Sequence, residues 1–320
     1  MLLTLCVFHT KCLRDLCALR LTQCVCVSST VCQLPGVKDQ LGPRDMLFAA
    51  LAATRLPTLL VSSSLLASRS PKAFATAARP PPENAIAIEP SGEHAASVIF
   101  LHGLGDSGHG WADIVPEIDR ALPEAVRGKI RWLLPHAPKR PITLNGGFVM
   151  PGWADVYGLG DDDPEDGAGM AESAKMVEAL VADEESAGIP ASRIIVGGFS
   201  QGGAVALYHS LRTARPLAGC LTLSSWLTMR GDYPAKLGPH ARTLPIFQGH
   251  GDSDMTVSLE WAQLSRRELE THGLQGIAPM VVAPGVGHGI DLFLVHKIAA
   301  WVGETLGAAC RTDAEPHSKL

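Results

Sequence analysis

The chain has 320 residues, 46% of them hydrophobic and 18% charged, a composition that excludes a disordered or fibrous protein. Its net charge of −5 hides an asymmetry: residues 1–82 carry nine basic and three acidic residues, and the other 238 carry 18 basic and 29 acidic. The acidic body argues against nucleic acid as the main partner, and no stretch reaches the roughly 18 uninterrupted apolar residues of a transmembrane segment.

In chain order, residues 1–45 hold six of the eight cysteines (Cys6, Cys12, Cys17, Cys24, Cys26 and Cys32) without the paired spacing of a zinc or disulfide framework. They are expected to form an unstructured or spuriously translated leader. Residues 46–82 contain Arg55, Arg69, Lys72 and Arg79, no acid, and the patch Ser62-Ser63-Ser64, which is the composition of an organelle transit peptide. Met46 is then a candidate start, and Arg79-Pro80-Pro81-Pro82 a linker into a domain spanning 83–310. Only Cys220 and Cys310 remain in that domain, which suits a reducing compartment.

Within the domain, strand-like apolar runs occur at 97–101, 130–134, 193–196, 220–223, 244–247 and 280–282. Short, near-continuous runs suit a sheet buried on both faces. Helical patterns fill the intervals, over 165–187, with Gly188 and Pro190 as the stop, and over 258–272 and 289–307. Strand and helix in alternation predict one α/β domain with a mostly parallel central sheet and helices on both faces. A polar tail, 311–320, ends in Ser318-Lys319-Leu320, the tripeptide read by the peroxisomal import receptor. The peroxisome is the expected location on that ground. The cytoplasm, or a mitochondrion or plastid if residues 46–82 act as a transit peptide, is the alternative.

The chemistry centres on Gly198-Phe199-Ser200-Gln201-Gly202, which follows a strand and opens a helical pattern, the context of a nucleophile elbow. A serine hydroxyl needs a base and an orienting acid, which in this chain order come later, acid first. His288 lies in a glycine-rich loop between the last strand and the last helix, whereas His209 and His296 fall within helical patterns. The acid is expected at Asp254 rather than Asp252, because the chain needs room after its strand before a carboxylate can turn back; Asp252 is expected to brace that turn. The oxyanion donors are expected to be the N–H groups of Gln201 and of Leu104, in the loop His102-Gly103-Leu104-Gly105-Asp106. A serine, a base and an acid need no metal or organic cofactor, so none is expected, and no metal-ligand spacing accompanies the histidines.

These motifs, with Pro135-His136-Ala137-Pro138, Met150-Pro151-Gly152-Trp153, Ser224-Ser225-Trp226-Leu227 and His250-Gly251-Asp252-Ser253-Asp254, resemble those of the acyl-protein thioesterases, or lysophospholipase-like carboxylesterases. The resemblance runs from about residue 95 to 305. It implies an α/β-hydrolase fold with little or no lid, acting on S-acylated proteins and often on lysophospholipids. It also implies catalytic roles for Ser200, Asp254 and His288, and an oxyanion hole from Leu104 and Gln201. An acyl channel would map to Leu104, Val156, Tyr157, Leu159 and Trp226, with a phenol at Tyr157 where an aliphatic residue is expected. Two alternatives stay open: a lysophospholipase, carboxylesterase or acyl-CoA thioesterase using the same triad, and a hydrolase fold that binds a ligand without turnover.

Overall fold

The computed structural model describes residues 82–158, 160, 163–307 and 310, all within the unit Ala73–Leu320. The expected leader, the transit-like segment up to residue 81, Leu159 and the terminal Ser318–Leu320 lie outside the described residues.

The chain runs β1 (Ala85–Ile88), β2 (Ala96–Leu101), α1 (His109–Ala112), α2 (Val115–Ala121), β3 (Ile130–Pro135), β4 (Lys139–Ile142), β5 (Phe148–Pro151), α3 (Gly167–Ser186) and β6 (Ile194–Phe199). It continues through α4 (Gln201–Arg212), β7 (Gly219–Leu223), β8 (Ile246–Gly251), α5 (Leu259–Thr271), β9 (Val281–Ala283) and α6 (Leu292–Gly307). Among the described residues one sheet has the order β1-β3-β2-β6-β7-β8-β9, in which β1 alone is antiparallel to its neighbour. Alternation along β2 sends Ile99 and Leu101 into one apolar layer and Val98 and Phe100 into the other, so both faces are covered.

The α/β expectation holds, with corrections at the edges. The six anticipated runs are the six parallel strands, but the one placed at 244–247 begins at Ile246 and continues to Gly251, and Arg193 belongs to a 3₁₀ turn. The helices expected over 165–187, 258–272 and 289–307 form over 167–186, 259–271 and 292–307. Capping sets two of those starts: Asp166 accepts the Gly169 N–H and Ser258 accepts the Trp261 N–H. Strand β1 and the hairpin β4–β5 had no counterpart in the sequence reading.

Two polar clusters hold α3 to the rest. Near the amino ends of the parallel strands, Arg131 (1% exposed) on β3 donates to Glu184 (0%) on α3 at 2.7 Å and to Glu89 at 2.9 Å. Ser97 on β2 donates to the second Glu184 oxygen at 2.5 Å.

Nearer the start of α3, Glu178 accepts from His209 at 2.8 Å, Arg215 at 2.6 Å and Thr213 at 3.1 Å. The His209 hydrogen bond is the main reason the Glu178 carboxyl is held down to about 2, from a usual 4.5. A carboxyl whose folded value is depressed contributes stability above its unfolded value, and that contribution disappears as pH falls from about 4.5 toward 2. Glu178 is 42% exposed and screened, so Glu178→Gln is expected to cost about 1 kcal/mol at pH 7. Urea midpoints of the two forms should converge when the titration is repeated near pH 3; a gap unchanged by pH would contradict this account.

Candidate active site

Strand β6 ends at Phe199, helix α4 begins at Gln201, and Ser200 makes the turn alone with φ 53° and ψ −123°. A non-glycine residue in that region costs on the order of 1–3 kcal/mol and persists only where its surroundings impose it. They do so here: the Ser200 N–H donates to the Leu223 carbonyl at 2.8 Å, and the Ser225 hydroxyl donates to the Ser200 carbonyl at 2.8 Å. The flanking glycines are steric requirements, since a Cβ at Gly198 would lie 2.4 Å from the Gly202 carbonyl carbon, and one at Gly202 would lie 2.3 Å from the Leu101 oxygen.

The loop after β9 brings His288 Nε2 to 3.0 Å from Ser200 Oγ. The turn after β8 brings Asp254 Oδ2 to 2.8 Å from His288 Nδ1. A carboxylate accepts, so Nδ1 carries the proton and Nε2 presents its lone pair to the serine hydroxyl. The Asp254 side chain is fully buried, and its other oxygen accepts the N–H groups of Thr256 and Val257, each at 2.9 Å. Burial alone would raise its pKa, but the His288 hydrogen bond and the two backbone donors outweigh it and hold the carboxyl below its ordinary range. The Phe199 ring lies 4.7 Å from that of His288.

Asp252, expected to brace its own turn through local backbone hydrogen bonds, instead ties that turn to the loop after β9, accepting the Gly285 N–H at 2.7 Å. His250, which the sequence reading left without a role, is buried behind the acid. Its Nε2 donates to the Val257 carbonyl at 2.8 Å and lies 3.6 Å from Asp254.

The loop after β2 passes beside the serine, and a Cβ on Gly103 would sit 3.4 Å from Ser200 Cβ. Among the described residues the N–H groups of Leu104 and Gln201 have no acceptor, and Gln201 is buried. The Gln201 side chain clamps the neighbouring segment, accepting the Trp153 N–H at 2.9 Å and donating to the Ala154 carbonyl at 2.7 Å.

Beside this point lies a cleft whose lining combines Ala154, Val156, Tyr157, Met170, Trp226 and Trp261 with the charged Asp155, Asp163, Glu165, Asp166 and Arg230. The indoles of Trp226 and Trp261 stack with centroids 4.8 Å apart. Glu165 bridges the two walls: it pairs with Val156 on one side and accepts the Thr228 hydroxyl and the Met229 N–H, each at 2.6 Å, on the other. Three of the residues assigned to the acyl channel, Val156, Tyr157 and Trp226, line this cleft. Leu104 does not; its side chain faces Gly152, where an added Cβ would lie 3.0 Å from a Leu104 methyl. The hairpin β4–β5 is tied to the cleft wall by Asp155, whose carboxylate accepts the Thr143 N–H at 2.7 Å and its hydroxyl at 2.6 Å. Among the described residues no group of three His, Cys, Asp or Glu is placed to hold a metal ion, and no helix is long and apolar enough to cross a membrane.

A mostly parallel sheet with a strained serine between a central strand and the next helix, met by a histidine and a carboxylate from later strand ends, defines an α/β-hydrolase. Residues 82–304 match the profile of the phospholipase/carboxylesterase family, and the chain belongs to that family. It is 41% identical over 181 residues to acyl-protein thioesterase 1 of Cryptococcus neoformans var. neoformans serotype D (strain JEC21), covering 56% of this chain and 74% of that protein. It is 38% identical over 215 residues to acyl-protein thioesterase 1 homolog 1 of Dictyostelium discoideum, covering 67% and 92%. The crystal structure of Zea mays acyl-protein thioesterase 2 superposes with a TM-score of 0.62 at 31% identity, covering 69% of this chain and 98% of that one.

Proposed function

We propose that the protein is a serine thioesterase that removes long acyl groups, palmitoyl among them, from protein cysteines through an acyl-serine intermediate. The observation that carries this reading is the single imidazole bridging Ser200 and Asp254 at 3.0 and 2.8 Å. The relatives named acyl-protein thioesterase support the choice of substrate. So do Val156, Met170 and the stacked Trp226 and Trp261 on the cleft wall, together with the exposed apolar side chains of Leu144, Phe148 and Val149 on the adjoining hairpin.

In this mechanism His288 Nε2 takes the proton as Ser200 Oγ attacks the thioester carbonyl. Asp254, fixed by two backbone N–H groups, orients the imidazole and stabilises its charged form. The Leu104 and Gln201 N–H groups receive the negative charge that develops on the carbonyl oxygen. Collapse of the intermediate breaks the C–S bond, and the proton on His288 leaves with the sulfur. A water, deprotonated by His288, then attacks the acyl-serine and releases the fatty acid. A thiolate is a good leaving group, so this chemistry asks less of the acid step than amide hydrolysis does.

The test is kcat/KM of the full chain on an S-palmitoylated peptide, with lysophosphatidylcholine and palmitoyl-CoA as competitors. Preference for the peptide supports the reading. Preference for either lipid moves the same triad into lipid metabolism, and binding without turnover of any of the three overturns the enzyme assignment.

For location we propose the peroxisome, on the support of Ser318-Lys319-Leu320 as a ligand for the import receptor. A distribution unchanged by deleting those three residues would exclude it.

A further inference from the structure

We propose that His102 is a positioning residue for the oxyanion hole: its ring grips the Gly103 carbonyl and thereby aims the Leu104 N–H at the substrate oxygen. The inference rests on the serine-hydrolase reading above and adds to it a residue that touches neither substrate nor triad.

His102 follows directly on β2 and is 1% exposed. Its Nδ1 lies 2.7 Å from the Gly103 carbonyl oxygen, and its Nε2 lies 3.0 Å from the Ala137 nitrogen. A carbonyl only accepts and a backbone N–H only donates, so the ring is the neutral tautomer with its proton on Nδ1. Burial lowers the pKa of this histidine, which favours that uncharged form.

The Gly103–Leu104 peptide is trans, since the one cis bond among the described residues is Tyr233–Pro234. In a planar trans peptide the carbonyl and the following N–H point in opposite directions, so holding one oxygen fixes the next hydrogen. The hydrogen fixed here belongs to Leu104, whose N–H has no acceptor, in a loop lying against Ser200.

The rest of the loop is pinned independently. The Trp153 indole N–H donates to the His102 carbonyl at 2.8 Å, and the Gly105 N–H donates to the Pro151 carbonyl at 2.8 Å. Between those anchors the Gly103 carbonyl is held by two donors, the His102 ring at 2.7 Å and, at the longer distance of 3.3 Å, the Asp106 N–H; the ring is the closer of the two, and Gly103 has no Cβ to resist rotation of the plane. A rotated plane would point a carbonyl oxygen, not a donor, at the developing charge.

Two amide substitutions separate the two ring contacts. His102→Asn places an N–H near the position of Nδ1 and keeps the bond to Gly103. His102→Gln reaches the position of Nε2, keeps an acceptor for Ala137 and abandons Gly103. The readouts on the full chain are kcat and KM with p-nitrophenyl butyrate, the affinity for an alkyl boronic acid that forms a tetrahedral adduct with the serine, and the thermal midpoint. His102→Gln is expected to lose roughly 10²–10³-fold in kcat, with KM within about threefold of the parent and a parallel loss of boronate affinity. His102→Asn is expected to recover most of both.

Equal activity in the two variants, or His102→Gln the better enzyme, would overturn the proposal, because the ring would then act through Ala137 or not at all. Ser200→Ala is measured alongside. If that variant hydrolyses the ester as fast as the parent, the serine-hydrolase reading itself fails, whatever the His102 variants do.

Discussion

Ser200→Ala is expected to reduce kcat by roughly 10⁴–10⁶-fold while leaving the fold intact, because in the proposed mechanism the hydroxyl is the attacking group and alanine removes only one heavy atom. Ser200 also holds the elbow, but through its backbone: the N–H bonds to Leu223 and the carbonyl receives the Ser225 hydroxyl, and neither contact involves Oγ. Its φ of 53° is as awkward for alanine as for serine, so the thermal midpoint should move little. His288→Ala should be comparably inactive, and the double variant no worse than either single one, since residues that act as a unit do not contribute additively. Asp254→Asn offers an amide to Nδ1 and disfavours the productive tautomer, and a loss of about 10⁴-fold is expected. Single-turnover acylation rates, with labelling by a fluorophosphonate, check all four. Retained turnover in Ser200→Ala, or additive losses in the double variant, would remove the triad from the mechanism.

Arg131→Met carries the largest expected stability effect. The substitution leaves the fully buried Glu184 carboxylate with its Ser97 hydrogen bond and the His94 imidazole 3.4 Å away, but without the guanidinium that pairs with it. Breaking one side of a buried ion pair costs about 3–5 kcal/mol. For a domain of this size that is a fall of roughly 10 °C in Tm. The pair lies near the amino ends of β2 and β3, whereas Ser200, Asp254 and His288 lie at the carboxyl ends of their strands, so kcat at a permissive temperature should be unchanged. Arg131→Met combined with Glu184→Leu should recover much of the loss, because removing both charges abolishes the penalty along with the attraction. A single variant with Tm within a degree or two of the parent would show that the pair contributes nothing net, as many ion pairs do.

The comparison of sequence with structure divides along one physical line. Six strands were legible because a strand buried on both faces must be a near-continuous apolar run. The meeting of Ser200, His288 and Asp254 could be anticipated because each follows a recognisable strand end: Ser200 after β6, Asp254 after β8 and His288 after β9. Strand β1 was missed because Ala85–Ile88 is four residues long and pairs antiparallel at the edge. The hairpin was missed because prolines at 141 and 151 interrupt its strands. Contacts between distant segments left no local trace. Arg131 and Glu184 are 53 positions apart, His102 and Ala137 are 35 apart, and Thr228 and Glu165 are 63 apart. Local periodicity carries no record of such pairs, and a lone His102 in a glycine-rich loop reads only as part of a motif. The Leu104 side chain was assigned to the acyl channel through the family pattern, but the turn that frees its N–H carries its methyls toward Gly152 instead.

The stacked indoles in the cleft also make the protein its own optical sensor. Of its six tryptophans, Trp111, Trp132, Trp153 and Trp301 are buried, while Trp226 and Trp261 line the cleft 4.8 Å apart. Two chromophores at that separation share their excited state, so their near-ultraviolet circular dichroism and emission depend on what lies against them. An acyl chain entering the cleft would displace water from that pair and leave the other four in unaltered surroundings. Occupancy of an inactive Ser200→Ala protein is therefore readable from its intrinsic fluorescence, with no label attached to enzyme or ligand.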